Sequence, residues 1–495
     1  MNSYVTVDLG ATSGRVVVGR LERGRLEMNE VHRFRNEPFG SDREQHWAAE
    51  ELFAQTIVGL RRAAAQLDGV ADSVAVTAWG VDVGLLDIDN NLLAPMQHYR
   101  AADAEAAQPL LDRLGAEELF ARTGVLPQQI NTVFRIRTIV DATGAAAKSE
   151  GVRALLVPDL WCALLTGVRT AERSIGSTTG LISLDTGTWD RGLLDAVGVD
   201  PSIFPPVVNN GFVVAELGKE LMVTIGGRSQ WPFVHVATHD TASAVAAISG
   251  RPRTAFVSSG TWSMVGVELT APVVTSEALA AGFTNEAGLG TTTLFMRNLT
   301  GLWLLEQAMR LWHGQGKNVT IASLVQDAAT VGPLQAAFDV SAPELVSSED
   351  VLRTVRMQCT SAGMAPAETP AEVTRCILQS LALTYRRTID LCEQLTDKHV
   401  EEVHMIGGGS LNPLLRELTA DACGRPLRFG PVEATSLGSL AAQAVAVGSL
   451  SDEADAQGVL QRSVNAGLLS PSNEKSVRRF WQHLDSIVTT PGSNA

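Results

Sequence analysis

Two stretches half a chain apart carry the same pattern, and that repetition limits the architectures open to this sequence more than any other feature. Val5-Thr6-Val7-Asp8-Leu9-Gly10-Ala11-Thr12-Ser13-Gly14-Arg15 runs directly into Val16-Val17-Val18, and Ala255-Phe256-Val257-Ser258-Ser259-Gly260-Thr261-Trp262 continues to Val267. Each reads as two β-strands joined by a turn of Gly, Ser and Thr. Gly10 and Gly14 let a ligand approach the backbone, while Thr12 and Ser13 supply hydroxyls and successive N–H groups suited to a phosphate. A plain hairpin with a polar turn has the same look, so one copy alone leaves both readings open. A carboxylate beside a phosphate repels it unless a divalent cation or its water lies between, which makes Asp8 the magnesium-side candidate. Two copies, one per half, predict a duplicated α/β architecture with a nucleotide held between the halves.

The 495 residues are 45% hydrophobic, ample for sizeable cores, yet no apolar run reaches the length of a membrane span. The chain enters a strand pattern at once, so no secretory leader is expected. Five cysteines without metal-ligand spacing predict a reducing cytoplasm. Cys359 and Cys376 are the one pair to consider for a disulfide, with two free thiols as the simpler reading. A net charge of −15 argues against nucleic acid or an anionic membrane as partner, and no G-x-x-x-x-G-K-[ST] is present. ATP stays compatible, because N–H groups, a few arginines and Mg²⁺ neutralise a triphosphate locally.

Between the repeats, Trp47 to Leu67 has helical spacing, and Ser73 to Ala78 reads as a buried strand ending in Trp79-Gly80-Val81-Asp82. That quartet is either packing and turn or a sugar contact, with Trp79 on an apolar sugar face, Gly80 offering backbone and Asp82 accepting from hydroxyls. Val234 to Ala237 forms another strand, followed by Thr238-His239-Asp240-Thr241 and a helix. Asp240 is there either the N-cap or a general base for an attacking hydroxyl. Asn298, ahead of a helix through Leu302 to Leu311, either caps it or bonds a sugar. Ile377, Leu381, Tyr385, Ile389 and Cys392 mark a buried helix. Val403 to Ile406 leads into Gly407-Gly408-Gly409, a side-chain-free floor for adenine or ribose, with Asn412 as N-cap and Pro413 at the first helical position. A late helix spans Val477 to Ile487, and Pro491 to Ala495 reads as a loose tail.

Taken in order, Asp8 to Arg15, Trp79 to Asp82, His239 to Val245, Ser258 to Trp262, Thr284-Asn285-Glu286, Asn298 to Leu305 and Gly430 to Ala434 resemble the FGGY carbohydrate kinases. The resemblance covers about residues 4 to 445 and, within the family, is strongest to members acting on L-rhamnulose. It implies two actin-like, ribonuclease H-like α/β lobes, 1–245 and 246–495, with a deep cleft between them. It further implies transfer of the γ-phosphoryl of ATP, with Mg²⁺, to the 1-hydroxyl of L-rhamnulose. In that scheme Asp240 takes the proton, Gly80, His239, Thr241 and Asn298 position the sugar, and Asp8 anchors the waters of Mg²⁺. Ala11, Thr12, Ser13, Gly14, Arg15 and Thr261 hold phosphates, and Gly408 meets the nucleoside. The implied protein is a cytoplasmic monomer or small homo-oligomer whose partners are a ketose and ATP. Two positions depart from the pattern: Glu306 replaces the Gln of relatives at a nucleotide position, and Ala101 replaces the acid of Tyr-Arg-Asp, leaving Asp103 next. Kinases of xylulose, fuculose or gluconate, and a sugar- and ATP-binding regulator without transfer, are the alternatives.

Overall fold

The computed structural model describes residues 2–488 apart from 42–43, 102–103 and 347–349, so Asp103 and the tail 491–495 lie outside the described residues. The chain divides into two compact units. The first comprises Met1–Gly250, Glu268–Phe295 and Ala434–Val464; the second comprises Arg251–Val267, Met296–Glu433 and Asn465–Ala495.

In the first unit a six-stranded sheet runs in the order Phe212–Glu216, Pro232–His235, Ser73–Ala78, Asn2–Leu9, Ser13–Glu22, Arg25–Arg35. The last three strands form an antiparallel meander, whereas Asn2–Leu9, Ser73–Ala78 and Pro232–His235 run parallel. Parallel strands need cover on both faces, which is why these segments read as near-continuous apolar runs. Val5, Val7, Leu9, Val74 and Val76 share a core with Leu52, Leu60, Ala63 and Ala64 of the Ala49–Gln66 helix. That helix starts two residues later than its spacing predicts, because Trp47 pairs with Met96 in a short strand. On the other face, Thr6 and Ser73 meet the Ala434–Ala446 helix through Ser439 (2.8 Å) and Gln443 (2.8 Å).

The second unit is built on the hairpin Thr254–Ser259 and Trp262–Leu269, turning at Gly260-Thr261. Glu402–Ile406 lies parallel to Thr254–Ser259, Leu427–Phe429 extends the sheet in parallel, and Gly467–Leu469 closes it antiparallel. The Pro370–Thr396 helix is buried along the expected face and starts with a capping box between Thr369 and Glu372. Cys359 and Cys376 are buried free thiols with sulfurs 3.9 Å apart. Among the described residues no helix is long and apolar enough to cross a membrane.

Two expectations change in this unit. Asn298 does not cap a helix: it is an exposed residue of the Thr293–Thr300 strand, and the helix begins at Trp303 with Leu302 at the N-cap. Gly301 separates the two, in a spot where a Cβ would lie 2.6 Å from the Gly260 carbonyl oxygen. Nor do the three glycines form a uniform floor. A Cβ at Gly407 would sit 2.8 Å from the Ser259 carbonyl oxygen and one at Gly409 2.1 Å from the Ser259 hydroxyl, while Gly408 has nothing within 4 Å. Asn412 and Pro413 cap the next helix as expected, Asn412 Oδ1 accepting from the Leu415 N–H at 3.1 Å.

These contacts separate packing from ligand roles. Gly407→Ala, also strained by a φ of +79°, should destabilise the protein by about 1–3 kcal/mol, while Gly408→Ala should stay within about 0.5 kcal/mol of wild type. Urea unfolding measures both, and equal midpoints would contradict the assignment.

Three buried rings, His98, His235 and His404, are each lowered to about 4, burial being the main cause. The unfolded chain takes up protons near pH 6.5 that these folded rings refuse. Their contribution to stability is therefore complete above about pH 6.5 and lost as pH falls toward 4. For His404, whose Nε2 donates to the Gly430 carbonyl at 2.7 Å, the shift corresponds to roughly 3 kcal/mol. His404→Gln should flatten the acid fall of the urea midpoint, and an unchanged slope would refute this.

Candidate active site

The carboxyl ends of the three parallel strands bring distant motifs to one sheet edge. Asn2–Leu9 delivers Asp8, Ser73–Ala78 runs on to Gly80, and Pro232–His235 runs on to His239, Asp240 and Thr241. Asp8 pairs with Thr77 and Leu9 with Ala78, and the Ala78 N–H donates to the Thr238 carbonyl at 2.9 Å. Ligands of parallel sheets bind off this edge.

The Gly10–Ser13 turn is closed by the Gly10 N–H donating to the Ser13 carbonyl (3.0 Å) and by Asn36, whose side-chain amide donates to the Gly10 carbonyl (2.9 Å). Thr12 is exposed at the tip, with Ala11 and Ser13 half-buried. Gly14 has a packing reason, since a Cβ there would meet the Phe34 ring at 2.3 Å. Arg15 lies opposite Asp8 across the hairpin, Nε 3.1 Å from Oδ2. Burial pushes the Asp8 carboxyl up from its ordinary range, Arg15 pulls it back, and the Asp240 charge adds to the rise.

Asp240 is the first residue of the Asp240–Ala246 helix, and His239 occupies the N-cap without a side-chain bond. The capping reading of Asp240 is therefore overturned. Its carboxylate is 29% exposed, accepts from Thr241 Oγ1 at 3.1 Å and lies 3.4 Å from His239 Nε2. Burial raises its pKa, the His239 ring opposes that rise, and the Glu286 charge adds to it.

Trp79 and Asp82 do not present themselves to a sugar. Asp82 is fully buried; Oδ2 accepts from the indoles of Trp47 (2.6 Å) and Trp79 (2.9 Å), and Oδ1 accepts from Arg135 (2.6 Å). Gly80 is required by Thr178, which a Cβ would meet at 2.8 Å. Val81 follows with a φ of +65°, costly for a β-branched residue. It is held by its N–H donating to Thr178 Oγ1 (3.0 Å) and its carbonyl accepting from Thr132 Oγ1 (2.6 Å). The quartet is thus a braced turn that leaves only backbone at Gly80 for a ligand.

In the second unit the Thr261 carbonyl accepts from the N–H groups of Gly301 and Trp303, each at 3.2 Å. The turn is thereby tied to the start of the Trp303–Gly314 helix, which carries Glu306 in its first turn. Ser259, behind the same turn, packs on Gly407 and Gly409. Tyr385 secures it, its hydroxyl 2.7 Å from Ser263 Oγ. Thr261, Glu306 and Gly408 therefore cluster about one hairpin end, and Asn298 belongs to the adjacent strand. The sequence marked no site role for Thr178, Arg135 or Glu286, and marked Tyr385 only as part of a buried helix face. Only Glu286 carried a signal, as an acid inside one of the resembling motifs.

A divalent cation would suit Asp8, whose carboxyl is raised first by burial and further by the Asp240 charge, against the pull of Arg15. Among the described residues no three His, Cys, Asp or Glu side chains form a ligand cluster. One carboxylate suits a cation held mostly by phosphate oxygens and water.

Residues 3–247 match the N-terminal domain model, and residues 255–447 the C-terminal domain model, of the FGGY family of carbohydrate kinases. A rhamnulokinase of Bacteroides thetaiotaomicron is 34% identical over 98% of this chain and 99% of its own length. A rhamnulokinase of Pectobacterium carotovorum is 32% identical over 98% and 97%. Among solved structures, xylulose kinase from Rhodospirillum rubrum aligns over 98% of both chains with a TM-score of 0.79 at 17% identity. Plasmodium falciparum glycerol kinase with ADP aligns over 98% of this chain and 97% of its own, with a TM-score of 0.80 at 13% identity. These likenesses establish the two-domain, actin-like α/β fold. With both domain models matched along the chain, this protein belongs to the FGGY family of carbohydrate kinases and phosphorylates a sugar with ATP.

Proposed function

We propose that the sugar is L-rhamnulose, phosphorylated on its 1-hydroxyl, and that Asp240 is the general base. The observation that supports the base assignment is that Asp240 starts its helix without capping it, so its partly exposed carboxylate is engaged by the Thr241 hydroxyl and the His239 ring. The identity of the sugar is supported by the relatives of about one-third identity that bear the name rhamnulokinase over nearly their whole length.

The hydroxyl oxygen bonds to the γ-phosphorus as the bond to the ADP oxygen breaks, and the hydroxyl proton passes to Asp240. A carboxyl raised by burial remains a base at neutral pH while holding a proton better than an exposed aspartate. His239, Thr241, Asn298 and the Gly80 backbone orient the sugar. The loop Ala11, Thr12, Ser13, Gly14 and Arg15, with Thr261, receives the phosphates, and Glu306 and Gly408 border the nucleotide. Asp8 would hold Mg²⁺ through its waters, and the bound ion supplies neutralisation of phosphate charge. The protein works in the cytoplasm as a monomer or small homo-oligomer.

A coupled ADP-release assay over a panel of ketoses and sugar acids, with wild type beside Asp240→Asn, tests both assignments. Turnover with L-rhamnulose should fall about 10²- to 10⁴-fold in the variant while calorimetric ATP binding is retained. Undiminished turnover in Asp240→Asn would overturn the base, and turnover restricted to another sugar would overturn the substrate.

A further inference from the structure

Glu286 lies in the Thr284–Ala287 strand of the first unit, its side chain 7% exposed. Its neighbours pin the strand: the Asn285 amide donates to the carbonyls of Gly124 (3.0 Å) and Val273 (2.9 Å), and the Ala287 N–H donates to Ser177 Oγ (2.8 Å). The segment opposite is equally fixed. The His239 N–H donates to Ser174 Oγ at 3.1 Å, and Thr238 donates through its N–H (3.1 Å) and hydroxyl (2.6 Å) to Glu172 Oε2.

Between these segments His239 Nδ1 lies 3.2 Å from Glu286 Oε2, and the other ring nitrogen lies 3.4 Å from Asp240 Oδ1. Both His239 Nδ1 and Glu286 Oε2 are shut off from water, and neither has another hydrogen-bond partner among the described residues. An imidazole without a fixed partner can turn about its ring bond and exchange nitrogens for carbons. One whose Nδ1–H faces a carboxylate cannot do so without loss.

We propose that Glu286 is a positioning residue for phosphoryl transfer: it accepts the Nδ1–H of His239 and so aims Nε2 at the Asp240 carboxylate and the attacking hydroxyl. This rests on the reading of Asp240 as the base. The charged groups facing His239 are Asp240, Glu286 and Glu172, while the Asp240 charge in turn raises Asp8. Burial by itself lowers the ring, but Glu286 first, then Asp240 and Glu172, outweigh it and hold the ring above its ordinary value. In the doubly protonated ring Nε2, 3.4 Å from Asp240 Oδ1, faces that carboxylate, and the His239 charge favours its ionised form. Replacing Glu286 by glutamine removes the charge while leaving an acceptor of the same shape.

Two readouts test this. In Glu286→Gln, kcat/KM for the sugar should fall about 10- to 100-fold with KM for ATP unchanged. The His239 ring midpoint, followed by NMR and assigned by its absence in His239→Gln, should drop by about one pH unit. Wild-type kcat/KM with an unshifted midpoint overturns the proposal. If the Gln variant does not fold, Glu286→Asp keeps the charge but shortens its reach: lowered kcat/KM with a near-wild-type midpoint is expected, and full activity overturns the proposal. Asp240→Asn separates the two assignments. Turnover surviving that change overturns the base, whereas an inactive Asp240→Asn beside a fully active Glu286→Gln overturns only the role of Glu286.

Discussion

The backbone of the Ala434–Ala446 helix presses so closely on that of Asp240–Ala246 that a Cβ at Gly438 would lie 1.9 Å from the Ser243 carbonyl oxygen. The carboxyl-end edge of the first unit's parallel strands is braced through that approach. Once the helices touch, Ser243 Oγ donates to the Thr435 carbonyl (3.1 Å) and Thr435 Oγ1 to the Asp240 carbonyl (3.3 Å). One face of the helix then reaches Asp8 through Ser436 (3.4 Å), Thr6 through Ser439 and Ser73 through Gln443. A larger residue at 438 would push the helix out and loosen these bonds together, since overpacking of a close crossing is relieved only by backbone movement. The chain thus returns after residue 433 to brace strands laid down at its start.

Burying carboxylates at such an edge is costly unless each finds donors, and the number of donors separates structural acids from reactive ones. Glu172 accepts from the N–H groups of Ser174 and Ile175, the N–H and hydroxyl of Thr238, the Asn210 amide and the Ser174 hydroxyl. Asp82 accepts from two indoles and an arginine. Such saturated groups hold backbone in place and have little left for a substrate. Asp240 has one hydroxyl donor and a neighbouring imidazole, is partly open, and retains the capacity to take a proton. The contrast supports Asp240 over Asp82 as the group that meets the sugar.

Elements that depend on local chemistry were legible in the sequence. Both hairpins, the Ser73–Ala78 strand and the Asn412-Pro413 helix start follow from periodicity, glycine and capping residues alone. What stayed hidden depends on contacts between segments far apart. Whether Asp82 faces a ligand is decided by Trp47 and Arg135, neither of which is marked by the spacing around residue 82. That Asp240 escapes capping is decided by where the helix begins, a boundary that a strand-to-helix turn leaves open by one residue. Val81 adopts a left-handed backbone that a β-branched side chain disfavours, so its propensity pointed the wrong way. The three glycines looked equivalent in sequence; Ser259, over a hundred residues upstream, makes two of them packing positions and leaves one open.

The duplicated hairpins also show how one motif supports two kinds of contact. In both, the glycine opening the turn donates its N–H back to a carbonyl across it, Gly10 to Ser13 and Gly260 to Trp262. The register makes Ser258 and Met264 the counterparts of Asp8 and Arg15. At this paired position charge is therefore confined to the first copy, whose carboxylate and guanidinium balance each other. The second copy offers only hydroxyls and backbone, fastened by Tyr385. The fold of the turn is thus kept while its charge is removed, leaving the second hairpin neutral at the position where the first carries an ion pair.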